Sequence, residues 1–194
     1  SDKLTQQLIA SYLNEVANQN PRGPGTGGAI TVPGATVITD LIAREAGGAP
    51  SSPAFARTDI RVGTNDSREA QRAYLISIKE TLDRQFGSLE RMDVMSGLRE
   101  FFEAHQTTIL EKLSKASFQT VGGLLSLAAP PTLASFHLDL INTAGEMQAW
   151  YDALIHYTDD PLRAYLAVQS LESIVTRTVS LNTAFLNYYN ALMP

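Results

Sequence analysis

Residues 130–162 read PPTLASFHLDLINTAGEMQAWYDALIHYTDDPL. Pro130 and Pro131 end whatever helix precedes them, because proline lacks the amide donor and restrains the residue before it. Proline is tolerated in a first turn, so a new helix can start at once. At the far end the pattern repeats: Asp159 or Asp160 offers a capping carboxylate, and Pro161 sits at the first helical position. Between these starts lies a helix from about Thr132 to Tyr157, and a last helix runs on to about Leu192. Helices joined this closely pack as antiparallel neighbours, so the spacing predicts an all-α, up-and-down antiparallel bundle.

Upstream, NDSREAQRAYLISIKETLDRQFG (65–87) opens with a capping-box pattern from Asp66 to Glu69 and stops at Gly87. Its expected apolar face is Ala70, Ala73, Tyr74, Ile76, Ile78 and Leu82. SLERMDVMSGLREFFEAH (88–105) and TTILEKLSKASFQTVGGLLSLA (107–128) also read as helix, and their continuity through His105 stays open. RTDIRVG (57–63) alternates polar and apolar residues and suggests a short extended segment. Residues 2–18 form an amphipathic helix, with Leu4, Leu8, Tyr12, Leu13 and Val16 at helical spacing. A short helix over 40–46 lies between two Gly/Pro-rich stretches, 18–35 and 47–56, which read as exposed loops. The total is about five or six helices. Residues 1–64 are expected to pack as an N-terminal region on a main bundle formed by 65–194.

The chain has 194 residues, 44% hydrophobic and 18% charged, with a net charge of −5. That composition supports a folded core. The acidic balance, with no long basic run, argues against general nucleic-acid binding and attachment to anionic headgroups, since both need a basic face. With no cysteine there are no disulfides, thiol nucleophiles or thiolate zinc sites.

The candidate chemistry is sparse. GPGTGG (23–28) matches the glycine spacing of a dinucleotide fingerprint, but a helix precedes it where that motif needs a strand, so it reads as a loop and no cofactor is expected. His137 has Leu133, Ala134, Leu140 and Ile141 one turn away on either side. The ring therefore points into the bundle as a polar pin, with Gln169, Glu172 or Asn182 of the last helix as partners. His137 and His156 are nineteen positions apart on one helix, roughly 28 Å at ~1.5 Å per residue, and cannot share a metal. Glu146, Asp152 and Glu172 have no ligand spacing, so no metal is expected. No nucleophile-elbow pattern supports serine catalysis, and Asp159–Asp160 is a helix cap. On the last helix Phe185, Tyr188 and Tyr189 form a possible interaction surface.

Two stretches carry a family resemblance: RTDIRVGTNDSREAQRAYLISI (57–78) and PPTLASFHLDLINTAGEMQAWYDALIHYTDDPLRAYLAV (130–168). With Pro131, Leu133, His137, Leu138, Ile141, Asn142, Asp160, Pro161 and Leu162, the chain resembles helical, membrane-tethered envelope proteins of reduced-genome bacteria. That family has no assigned activity, so the resemblance transfers no catalytic residue. It implies an extracytoplasmic domain held by an N-terminal anchor, and it marks His137 and Asn142 as parts of a recurring helix pattern.

Two functions follow as expectations. The first is a non-enzymatic envelope domain acting in scaffolding, through a protein partner or self-association. The alternative is a bundle holding a small apolar or amphipathic ligand between its helices. Met92, Met95, Phe101, Phe102, Phe118, Phe136, Trp150 and Tyr151 would line that site, with His137 as its polar group.

Overall fold

The computed structural model describes residues 54–89 and 94–193. Five α-helices carry this part of the chain: α1 (Arg68–Phe86), α2 (Val94–Ala104), α3 (Thr108–Leu125), α4 (Ala134–Ile155) and α5 (Pro161–Leu192). Among the described residues the strands are the two-residue β1 (Arg61–Val62) and β2 (Ala128–Ala129), so the fold is all-α. The helices expected over 2–18 and 40–46, the GPGTGG stretch, and most of the two Gly/Pro-rich loops lie outside the described residues.

Helix ends obey local chemistry, with two departures from expectation. Ser67, not Asp66, caps α1, its hydroxyl accepting from the Ala70 amide at 3.2 Å. Asp66 instead accepts from the hydroxyl and amide of Thr132, and so ties the start of α1 to the turn before α4. The Thr132 hydroxyl also holds the Asp66 carboxyl below the usual carboxylate range. α4 begins at Ala134, two residues later than expected, because Pro131–Leu133 form a separate 3₁₀ turn. α5 starts as its sequence requires: Asp160 accepts from the Arg163 amide at 3.0 Å, and Pro161 occupies the first turn.

His105 decides that α2 and α3 are separate. Its φ of 55° is left-handed, a conformation histidine tolerates better than most side chains. The backbone turns there, with the His105 amide on the Phe101 carbonyl and the Gln106 amide on that of Glu100.

The extended segment expected over 57–63 is a 3₁₀ turn at Arg57–Asp59 followed by β1. β1 pairs in parallel with β2, Arg61 opposite Ala128 and Val62 opposite Ala129, and the Gly63 amide extends the pairing to the Ala129 carbonyl. The partner strand is two alanines, which carry no strand signal of their own.

Two apolar cores result. The first gathers Ile60, Tyr74, Leu75, Ile78, Leu124, Leu133, Phe136 and Ile141. The second gathers Leu98, Phe101, Leu110, Leu113, Trp150, Tyr151, Leu154 and Ala167. The buried face of α1 is Tyr74, Leu75, Ile78 and Thr81, whereas Ile76, expected inside, is 38% exposed. Two positions along a helix are about 200° apart, so Ile76 and Ile78 cannot both face one core. In the second core the Trp150 indole donates to the Ala167 carbonyl at 2.5 Å, and Ser114 donates to Asp152 at 2.5 Å. Burial pushes the Tyr151 phenol up to about 12.

Candidate functional site

His137 is fully buried on α4, as its apolar neighbours require. Its partner is not on the last helix. The Tyr74 hydroxyl of α1 lies 2.6 Å from Nδ1, with the two rings edge-on at 5.6 Å. A tyrosine donating to Nδ1 leaves one unpartnered group, the Nε2–H, whereas the reverse arrangement strands both Nε2 and the phenolic hydrogen. Nε2 has no partner among the described residues. Burial lowers the His137 pKa, so the ring is neutral at pH 7. The expected partners Gln169, Glu172 and Asn182 are all exposed.

Asn142, one turn further along α4, is a clamp. Its Oδ1 accepts from the Phe55 amide at 2.7 Å, and its Nδ2 donates to the Phe55 carbonyl at 3.2 Å. The side-chain amide thus satisfies both backbone groups of a residue 87 positions upstream, pinning the segment that enters β1.

The aromatics of α5 divide. Phe185 and Tyr189 are half-buried and pack against the first core, while Tyr188 lies on the outer side with its ring edge-on to Phe136 at 5.5 Å. The most outward apolar positions of α5 lie elsewhere, at Val179 (59% exposed), Tyr165 (53% exposed) and Val175 (50% exposed), with Leu186 and Val168 also exposed.

Where the two cores meet, a cleft of about 360 Å³ opens between α1 and α5. Its walls are Ile78, Leu82 and Phe86 of α1, Phe136, Leu140 and Met147 of α4, and Leu181 and Phe185 of α5. Its floor carries Ser117 and Thr120 of α3 and Thr143 and Ala144 of α4. The Ser117, Thr120 and Thr143 hydroxyls are buried and have no hydrogen-bond partner among the described residues. Lys79, Asp83, Thr178 and Asn182 are exposed and edge the mouth. Lys79 and Asp83 form an ion pair one turn apart, and the Asp83 carboxylate raises the Lys79 pKa.

Among the described residues expected to line such a site, Phe136 does so. Phe101, Trp150 and Tyr151 are packed in the second core, and Phe102 and Phe118 are exposed. Met92 and the Met95 side chain lie outside the description, and His137 is not on the cleft wall. The floor hydroxyls are not among the expected residues, yet the sequence carries a signal for them. Ser117 and Thr120 sit in phase with Leu113 and Leu124, and Thr143 with Phe136 and Leu140, so small polar residues occupy an apolar stripe.

Among the described residues no group of three or more His, Cys, Asp or Glu could hold a metal, and no helix is long and apolar enough to cross a membrane. Comparison of the chain with protein-family models, curated proteins and solved structures gives no match.

Proposed function

We propose that this chain is a non-enzymatic, up-and-down antiparallel bundle that holds a small, mostly apolar ligand between its helices. The observation that carries it is the cleft of about 360 Å³ where the two cores meet, walled by apolar side chains and floored by three buried hydroxyls without partners among the described residues. Protein interiors leave few voids larger than a water molecule, and ligand sites begin at about 300 Å³. The antiparallel arrangement is supported by pairs from opposite helix ends. Ser114, early in α3, meets Asp152, late in α4. Trp150, late in α4, meets Ala167, early in α5, and Phe136, early in α4, meets Tyr188, late in α5. Following the family resemblance, the proposed setting is extracytoplasmic, with an N-terminal anchor.

The test is binding of the neutral fluorophore 1-naphthylamine, small enough for the cleft, to the full chain. Saturable binding at one site is expected, and it is lost in Ala144→Leu, where added side-chain volume fills the floor. Wild-type protein that fails to bind the probe sinks the proposal.

A second reading, as a scaffold docking a protein partner or a second copy, is supported by the exposed Val175, Val179 and Leu186 on α5. Val175→Glu and Val179→Glu, followed by sedimentation, test it. Dissociation of an assembly present in the wild type supports this reading, and a wild type monomeric at all concentrations removes self-association.

A further inference from the structure

The floor of the cleft narrows the class of ligand, and this step rests on the cleft being a binding site. Serine and threonine inside helices ordinarily bond back to the carbonyl four residues earlier. Ser77, Thr81, Thr178, Ser180 and Thr183 of this chain do so, at 2.8–3.1 Å. Ser117, Thr120 and Thr143 do not, although they are only 1%, 1% and 3% exposed. A buried hydroxyl without a partner is costly, and these three, from two adjacent helices, all border one cleft. Each hydroxyl can both donate and accept.

What the floor lacks is charge. The charged side chains on the cleft are Lys79 and Asp83, which sit at the exposed mouth and neutralise each other. A carboxylate or ammonium carried to the floor would lose its hydration and meet no counter-ion, which strongly opposes its entry. A neutral hydroxyl or carbonyl meets no such opposition. At about 30 Å³ for each water-sized group, 360 Å³ holds roughly a dozen non-hydrogen atoms.

We propose that the cleft takes a neutral medium-chain amphiphile, an alcohol of about ten carbons in its simplest form. The polar head meets Ser117, Thr120 and Thr143, and the chain lies back along Leu82, Phe185 and Met147.

The experiment is displacement of 1-naphthylamine from the full chain at pH 8 by 1-decanol and by decanoate, in the wild type and in Thr143→Val, Thr120→Val and Ser117→Ala. Thermal melts establish that each variant is folded. Decanol is expected to displace the probe at least tenfold more tightly than decanoate. Each valine or alanine variant should weaken decanol about fivefold to tenfold, the worth of one hydrogen bond, after correction for the probe affinity measured in the same variant. Decanoate binding as tightly as decanol, or decanol binding undiminished in all three folded variants, overturns the neutral-head inference and leaves the cleft proposal standing. Probe that never binds overturns both.

Discussion

Replacing Tyr74 by phenylalanine tests how the buried histidine is held. The substitution keeps the ring, which is 5% exposed, and removes one oxygen. His137 Nδ1 then loses its 2.6 Å partner, while Nε2 already has none among the described residues. Stranding a buried polar group costs about 1–3 kcal/mol, so a loss of about 2 kcal/mol is expected. For a chain of this size that is about 4–8 °C in Tm. Removing the histidine as well, in Tyr74→Phe/His137→Leu, replaces both partners by apolar groups and should recover most of the loss, a coupling of about 1–2 kcal/mol. The assay is urea unfolding of the four proteins of the cycle, repeated between pH 5 and 8. His137 has its pKa lowered by burial in the folded chain, so the unfolded chain takes up a proton first as pH falls. The neutral ring's contribution is therefore fully present above about pH 6.5 and declines as pH falls from there toward the lowered folded value. His137→Leu should flatten that decline. A Tyr74→Phe variant within about 0.5 kcal/mol of wild type, or a double variant no better than the single, refutes the reasoning.

Asn142→Leu should free the Phe55 backbone and cost about 1–3 kcal/mol, with hydrogen exchange at the Phe55 amide accelerated far more than at core amides such as Leu75. Two adjacent glycines of α3 should respond oppositely to alanine. Gly122 faces open space and should gain about 0.5–1 kcal/mol, whereas a Cβ on Gly123 would fall 2.7 Å from Thr81 Cγ2 and should destabilise. Thr81→Ser, which removes that methyl, should rescue Gly123→Ala, and thermal melts of the four variants decide it. At the alkaline end, burial raises the Tyr74 and Tyr151 pKa values, Tyr151 to about 12. The unfolded phenols ionise near pH 10, so stability should fall as pH rises from about 10 to 12, and Tyr151→Phe should flatten that limb in pH-dependent melts.

The division of the interior bears on the proposed function. Each core is dense: the first is closed by Leu75, Ile78, Leu124 and Leu133, all fully buried, and the second by Leu110 and Leu154. Side chains at the seam between them are shorter, with Ser117, Thr120, Thr143 and Ala144 where a leucine would fill the space. A cleft made this way keeps the helix supports rigid on both sides, which suits a preformed ligand site.

The sequence alone marked, to within a residue or two, the end of α1 and the starts of α4 and α5, but not the break at His105. Pro130–Pro131, Asp160–Pro161 and Gly87 act through groups within one turn of themselves, so their effect is legible without knowing the rest of the chain. The burial of His137 was legible for the same reason, since its neighbours three and four positions away are apolar. Tertiary structure decided the rest. It chose Tyr74, 63 positions away, as the partner of His137, and Phe55, 87 positions away, as the partner of Asn142. It paired two alanines with β1, and it selected Leu75 over Ile76 for the core, because neighbouring apolar residues on one helix are separated only by the direction from which other helices arrive. The cleft belongs to the same class. Its floor is written on α3 and α4 and its mouth on α1 and α5, and a gap among four helices exists only once their side chains have met everywhere else.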